Sequence, residues 1–262
     1  MSVFAFLVGI VSSMIGVGGG FIIVPMLTLL YGFSMHNAVG TSLVMIVFTA
    51  FSSTFAYMRQ RRIDYALGLV LTVGSIPGAF VGAQATSLVS AKNLSSLFGV
   101  FLILLAARMF FGSGRGGRRA ESKMWGWARR IRDSRGEMFE FEANMVPGII
   151  LSFVGGFTSG FFGVGGGAVM VPVMVLAMGV PMHLAVATSM FLMIFTSITG
   201  AATHVLLGNV LIDSAIALGI GIVFGTQAGA LVARKLKARM LQRVFAVFLV
   251  VIGLRMALQY FF

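Results

Sequence analysis

The sequence predicts an all-α membrane protein of two inverted-topology repeats, each a Gly-broken re-entrant or paired-helix segment plus three transmembrane helices. Three observations carry this expectation: an apolar composition, a duplicated Gly-Val-Gly-Gly-Gly string, and basic loops that alternate between the halves.

Of 262 residues, 58% are hydrophobic and 10% charged, where an ordinary soluble domain is about 25% charged. Mean hydropathy is +1.02. Stretches 43–55, 66–83, 94–107, 215–232 and 244–253 carry no charge. A bilayer-spanning helix needs roughly 20 mostly apolar residues, so each stretch reads as the heart of a transmembrane helix. Cysteine is absent, which excludes disulfides, thiolate chemistry and Cys-based metal sites. Residues 1–15 hold no Lys or Arg; without a basic n-region they read as part of the mature fold rather than a signal peptide. The net charge of +12 lies in short loops between apolar spans. That pattern points to membrane orientation and away from nucleic acid.

Shifting the sequence by 147 residues places Gly16-Val17-Gly18-Gly19-Gly20 on Gly163-Val164-Gly165-Gly166-Gly167. The same gap-free shift aligns Pro25 with Pro172, His36 with His183, Thr41-Ser42 with Thr188-Ser189, Gly78 with Gly225, Gly82 with Gly229, Phe98 with Phe245 and Arg108 with Arg255. So long a register marks an internal duplication. The expected units are a first repeat over 1–111, a linker over 112–144 and a second repeat over 145–262. Helices are expected at 35–58, 66–87 and 93–111, and at 182–206, 214–233 and 240–260. The linker mixes Arg115, Arg118, Arg119, Lys123, Arg129, Arg130, Arg132 and Arg135 with five acids. Its stretch 124–131 reads either as an interfacial helix on anionic lipids or as a disordered charged loop.

Lys and Arg mark cytoplasmic loops. In the first half the basic loop is Arg59-Gln60-Arg61-Arg62, and the next loop offers Lys92 alone. In the second half the loop 207–212 has no Lys or Arg, and the following one carries Arg234, Lys235, Lys237, Arg239 and Arg243. Equivalent loops therefore face opposite sides, an inverted arrangement that sets a substrate site near the midplane between repeats. The linker is expected in the cytoplasm and both termini outside, in an inner membrane. With these loop positions, 145–179 begins and ends on the cytoplasmic face and turns back at Gly163–Gly167. Its partner enters from outside and turns at Gly16–Gly20.

Such a turn survives at membrane depth only where its unpaired backbone groups are buried in protein or face a polar cavity. Consecutive glycines reach positive φ without strain and let a ligand approach the main chain. From Phe21 and Ala168 onward a short helix is expected, whose free N–H groups and positive dipole end favour an anion. Gly18, Gly19, Gly20, Phe21, Gly165, Gly166, Gly167 and Ala168 are thus candidate substrate-binding residues. The competing reading is close helix packing.

All seven acidic residues, Asp64, Glu121, Asp133, Glu137, Glu140, Glu142 and Asp213, fall in or beside loops. Intramembrane carboxylates mark cation sites and proton relays, so a cation transporter is disfavoured. Arg108 and Arg255 sit inside apolar stretches near helix ends, where Arg snorkels to the interface, with substrate contact as the alternative. Thr41, Ser42, Thr188 and Ser189, in the first turns of their helices, offer hydroxyls for oxyanion oxygens or for interhelical hydrogen bonds. His36 and His183 are secondary candidates, as structural partners or proton carriers. Gln84 and Gln227 are offset by four residues in the repeat register. His204 has Tyr57 at its matching place.

Gly-Val-Gly-Gly-Gly followed by Pro, then His-x-Ala-Val-x-Thr-Ser, twice in one chain with a basic linker, resembles the TauE/SafE family of membrane permeases, often described as sulfite exporters. The resemblance implies export of a small sulfur-containing anion such as sulfite, sulfoacetate or another organosulfonate across a bacterial inner membrane. An anion channel, or an uptake permease for sulfate or thiosulfate, is the alternative. No nucleophile, base and acid set and no metal-ligand cluster points to an enzyme. No cofactor or metal is expected.

Overall fold

In a computed structural model, residues 2–111 and 126–232 are described, with 250, 251, 253, 254 and 256. The first half comprises α1 (Ser2–Ile15), α2 (Gly20–Leu29), α3 (Met35–Arg59), α4 (Tyr65–Thr86) and α5 (Ala91–Phe111). After the linker come α6 (Met145–Phe162), α7 (Gly167–Pro172) with a π-helical turn at Val173–Ala177, α8 (Met182–Leu206) and α9 (Ile212–Val232). The helix expected over 240–260, with Arg255, lies almost wholly outside the described residues, as does the side chain of Arg108. Five described helices, α3, α4, α6, α8 and α9, are long and apolar enough to cross a membrane. Their outward side chains agree: Leu69 and Val73 on α4, and their repeat equivalents Ile216 and Ile220 on α9, are at least half exposed. A soluble protein does not present such an apolar belt to water.

Local chemistry sets several boundaries. Ser34 caps α3, its Oγ accepting from Asn37 N at 3.2 Å, and Asp64 caps α4, accepting from Leu67 N at 3.0 Å. Such caps satisfy amides that no helical carbonyl reaches. In the second half Pro172, lacking an amide, ends α7 in a wide turn; π-turns form where the regular ladder is interrupted.

Each half completes the other. The first helix of one half packs against the third long helix of the opposite half, α1 on α9 and α6 on α4. Both pairs run parallel, because Gly78 meets the Phe153 carbonyl and Gly82 that of Phe157, while Gly225 meets Phe6 and Gly229 meets Ile10. A Cβ at any of these glycines would collide with backbone. The 147-residue register of Gly78/Gly225 and Gly82/Gly229 thus records close packing of small residues. Helices α3 and α8, equivalent in the repeat, run antiparallel: Asp64, after the end of α3, bonds Thr188 near the start of α8, and Leu211, after the end of α8, bonds Thr41 near the start of α3.

The linker differs from both expectations for it. Instead of an interfacial helix or a disordered loop, Gly126–Arg132 and Met138–Asn144 form an antiparallel hairpin, β1 and β2. Trp127, Arg129, Ile131, Phe139, Phe141 and Ala143 alternate onto one face, a period of two that suits a strand. Ile131, Phe139 and Phe141 pack against a buried cluster that includes Leu67, Met174 and Leu184. Two ion pairs fasten the hairpin to the loop after α3. Arg129 binds Asp64 bidentately at 2.7 and 2.8 Å, and Arg62 donates to Asp133 at 2.9 Å. Of the linker arginines expected to face anionic lipid, Arg129 is thus engaged internally, and Arg130 pairs with Glu140 at 2.7 Å.

Burial works to raise the Asp133 carboxyl, but hydrogen bonds from Arg62 and from the amides of Arg135 and Glu137, with the attraction of Arg62, outweigh it and hold the group below its ordinary value. A depressed folded pKa contributes stability above the unfolded value, about 3.9 for Asp, and that contribution is lost as pH falls through the folded value. Limited proteolysis at Arg135 is therefore expected to stay constant between pH 8 and about pH 5 and to rise only below about pH 4, while Asp133→Asn exposes the turn at neutral pH.

Candidate functional site

The site grows from two broken helices. Helix α1 ends at Ile15, and Gly16, Gly18 and Gly19 take φ of 81, 85 and 83°. Gly163, Gly165 and Gly166 repeat this at 69, 83 and 75°. The left-handed region is open to glycine at no steric cost. The chain then folds back: a Cβ on Gly19 would lie 3.1 Å from Val8 and 3.2 Å from Ser12, although a continuous helix would separate residues 8 and 19 by about 16 Å. Gly166 lies equally near Gly155 and Ser159, at 3.1 and 3.5 Å.

The two turns meet. Gly20 packs on the Gly163 carbonyl and Val164, and Gly167 packs on the Gly16 carbonyl and Val17. Any side chain at these glycines would drive the halves apart. Met193 of α8 fills the seam, its thioether against Gly18 and Gly165 and its methyl against Gly167. Met193 belongs to no motif of the repeat and is not among the expected site residues.

The Thr-Ser pairs hold this junction across the halves. Ser42 Oγ donates to Gly163 O at 2.8 Å and to Val39 O at 2.7 Å. Ser189 Oγ donates to Gly16 O at 3.2 Å and to Val186 O at 2.8 Å. Thr188 Oγ1 accepts from Asp64 N at 3.0 Å, and Thr41 Oγ1 from Leu211 N at 3.1 Å. Of the two roles expected of these hydroxyls, the structure shows the interhelical hydrogen bonds, made beside the glycine strings.

A second reciprocal pair was hidden by its chemistry. Tyr57 Oη donates to Ser13 O at 2.7 Å, and His204 Nε2 lies 3.0 Å from Gly160 O, with Asn209 Nδ2 near its Nδ1 at 3.4 Å. Ser13 and Gly160 are repeat equivalents in last helical turns, whose carbonyls lack intrahelical partners. A phenol and an imidazole therefore do the same work, which a comparison by residue type does not detect.

The remaining candidates lie apart from the junction's bonding. His36 Nε2 ties α3 to Thr86 O and Val89 O, both at 3.0 Å. His183 and Gln84 are exposed. Gln227 donates to Ser52 O at 2.8 Å. Phe21 is buried against the core. Ala168 lines an apolar groove of about 420 Å³ with Leu151, Pro172 and Val173, whose walls offer no polar side chain to an anion.

The carbonyls of Gly16 and Gly163 accept from Ser189 and Ser42, and those of Gly19 and Gly166 from the amides three and four residues on. Among the described residues, buried hydroxyls without a partner include those of Ser12 and Ser159, which flank the two turns.

The family model for the sulfite exporter TauE/SafE matches residues 1–256. The chain belongs to the TauE/SafE family. Like other TauE/SafE chains it is a multi-pass membrane transporter. It is 36% identical to the probable membrane transporter protein YunE of Bacillus subtilis, over 96% of this chain and 94% of that protein. A probable membrane transporter protein of Methanocaldococcus jannaschii is 29% identical over 97% and 92% of the two chains. No solved structure matches.

Removing either cross-repeat hydroxyl of this TauE/SafE protein leaves a buried carbonyl unpaired, a loss of about 1–3 kcal/mol. Ser42→Ala and Ser189→Ala are each expected to lower the melting temperature of the detergent-purified protein by several degrees, and comparable shifts from the two would reflect their equivalence.

Proposed function

We propose that the protein is a carrier that exports a small sulfur-containing anion, sulfite, sulfoacetate or another organosulfonate, bound near the midplane where the two glycine turns meet. The observation that carries this reading is that four carbonyls of the strings are engaged, while the buried hydroxyls of Ser12 and Ser159 beside them have no partner. Transporters that bind cations at broken helices use freed carbonyls, and those that bind anions use amides and helix N-termini. The family description supplies the sulfur. Gly18, Gly19 and Gly20 with Gly165, Gly166 and Gly167 form the seat, and Thr41, Ser42, Thr188 and Ser189 hold it together.

Inverted topology accompanies this reading. The antiparallel course of α3 and α8, which are equivalent in the repeat, supports it, as do the parallel pairs α1/α9 and α4/α6. The hairpin and the loop after α3 then lie on the cytoplasmic side. Export of an anion is favoured by an inside-negative potential, about 2.3 kcal/mol per charge per 100 mV, so no proton site is required.

Flux into proteoliposomes, screened over sulfite, sulfate, thiosulfate and organosulfonates, tests the activity. A carrier gives saturable flux with counterflow, and Gly19→Leu abolishes it while the protein still reaches the membrane. Single-channel conductance would replace the carrier by a channel. Orientation is tested separately by single cysteines: Leu88→Cys and Leu206→Cys label from outside, and Arg135→Cys only after permeabilisation. The reverse pattern in either half rules out inversion.

A further inference from the structure

Ser12 and Ser159 are equivalent in the 147-residue register, yet both stand outside the motif that marks the repeat. Each lies in the last turn of a first helix, four residues before its glycine string. Their side chains are fully buried, at 0% exposure. Neither hydroxyl has a hydrogen-bond partner. A serine in a helix ordinarily bonds the carbonyl three or four residues back, as Ser42, Ser152, Ser189 and Ser197 do in this protein. Ser12 and Ser159 do not. Ser12 Oγ instead lies 3.2 Å from the place a Cβ would take on Gly19, and the Ser159 side chain 3.5 Å from that place on Gly166. The main-chain carbonyls of both serines are occupied, by the amides of Gly16 and Gly163 at 3.0 and 2.9 Å.

Twice over, then, a buried serine whose hydroxyl has no acceptor packs beside a glycine turn that carries no side chain. Leaving such a group unpaired destabilises the empty protein; its presence at both equivalent positions is explained if an acceptor arrives from outside. We infer that Ser12 and Ser159 are the side-chain hydrogen-bond donors to the transported anion, one from each repeat. This rests on the anion-carrier reading above and adds to it a basis for selectivity. Two fixed neutral hydroxyls recognise an ion with several directed acceptor oxygens, so the site prefers an oxyanion to a halide.

The test uses the full-length protein, purified and in proteoliposomes, with sulfite as the probe and chloride as competitor. Ser12→Ala and Ser159→Ala are each expected to raise the half-saturating sulfite concentration about tenfold or more, the loss that follows deletion of a hydrogen bond to a charged group. In the same variants the melting temperature without sulfite stays level or rises, because an unsatisfied hydroxyl has been removed. Ser12→Cys, which keeps a weaker donor in place, falls between wild type and Ser12→Ala, and the preference for sulfite over chloride shrinks in the double Ala variant. Thr54→Ala, which also deletes an unpartnered hydroxyl, leaves the half-saturating concentration unchanged. Wild-type sulfite flux with unaltered half-saturation in both Ala variants overturns this inference alone. A fall in melting temperature in both Ala variants also overturns it, since the hydroxyls then serve the fold. A wild-type protein that neither binds nor moves sulfite, sulfate, thiosulfate or an organosulfonate overturns the carrier reading together with this one.

Discussion

Breaking a helix inside a membrane leaves carbonyls and amides with no water to satisfy them, and the rest of this structure is arranged around that constraint. At each of two breaks the last helical turn loses its acceptors' partners. Protein side chains replace them: Tyr57 and His204 for Ser13 and Gly160, and Ser189 and Ser42 for Gly16 and Gly163. Two of the four replacements come from the opposite repeat. The break in one half is therefore stable only while the other half is docked against it, which explains why the duplicated Thr-Ser pairs sit at helix starts rather than in the strings they serve.

Docking in turn depends on absent side chains. Without water to squeeze out between helices in lipid, association relies on close van der Waals packing and short interhelical hydrogen bonds. Gly78, Gly82, Gly225 and Gly229 let α4 and α9 approach the carbonyls of α6 and α1, and Gly20 and Gly167 bring the two turns into contact. Glycine thus does two separate jobs here. Positive φ is needed at residues such as Gly18 and Gly165, whereas Gly78 and Gly225 lie within regular helix and are needed for their small size alone.

Much of this was legible in the sequence because duplication writes each feature twice. The five expected helices that fall within the described residues have limits within a few residues of their expected places, and the strings at Gly16 and Gly163 marked the breaks. What escaped has physical reasons. The hairpin was missed because Trp127, Arg129 and Ile131 in a charged segment satisfy an amphipathic helix as easily as a strand, and the partner strand that decides between them lies some ten residues away. Tyr57 and His204 were judged unrelated because the repeat preserves a donated proton rather than a residue type. Ser12 and Ser159 match in the repeat register but belong to no motif; what distinguishes them is a hydrogen bond not made, which needs coordinates to see. Met193 likewise gains its meaning from three glycines that touch it from two directions.

The hairpin lies in the linker, outside the 147-residue register. Asp64, which it grips through Arg129, has Leu211 as its repeat equivalent, and a leucine offers nothing to a guanidinium. Two identical halves related by a two-fold axis would leave inward-open and outward-open forms at equal energy, and an empty carrier would divide its time evenly between them. A covering piece on one face removes that degeneracy. Each 1.4 kcal/mol that the Arg129–Asp64 and Arg62–Asp133 pairs contribute on one side alone weights the two forms by about a factor of ten. In a carrier of the proposed kind, these inserted strands would weight one of the two forms over the other.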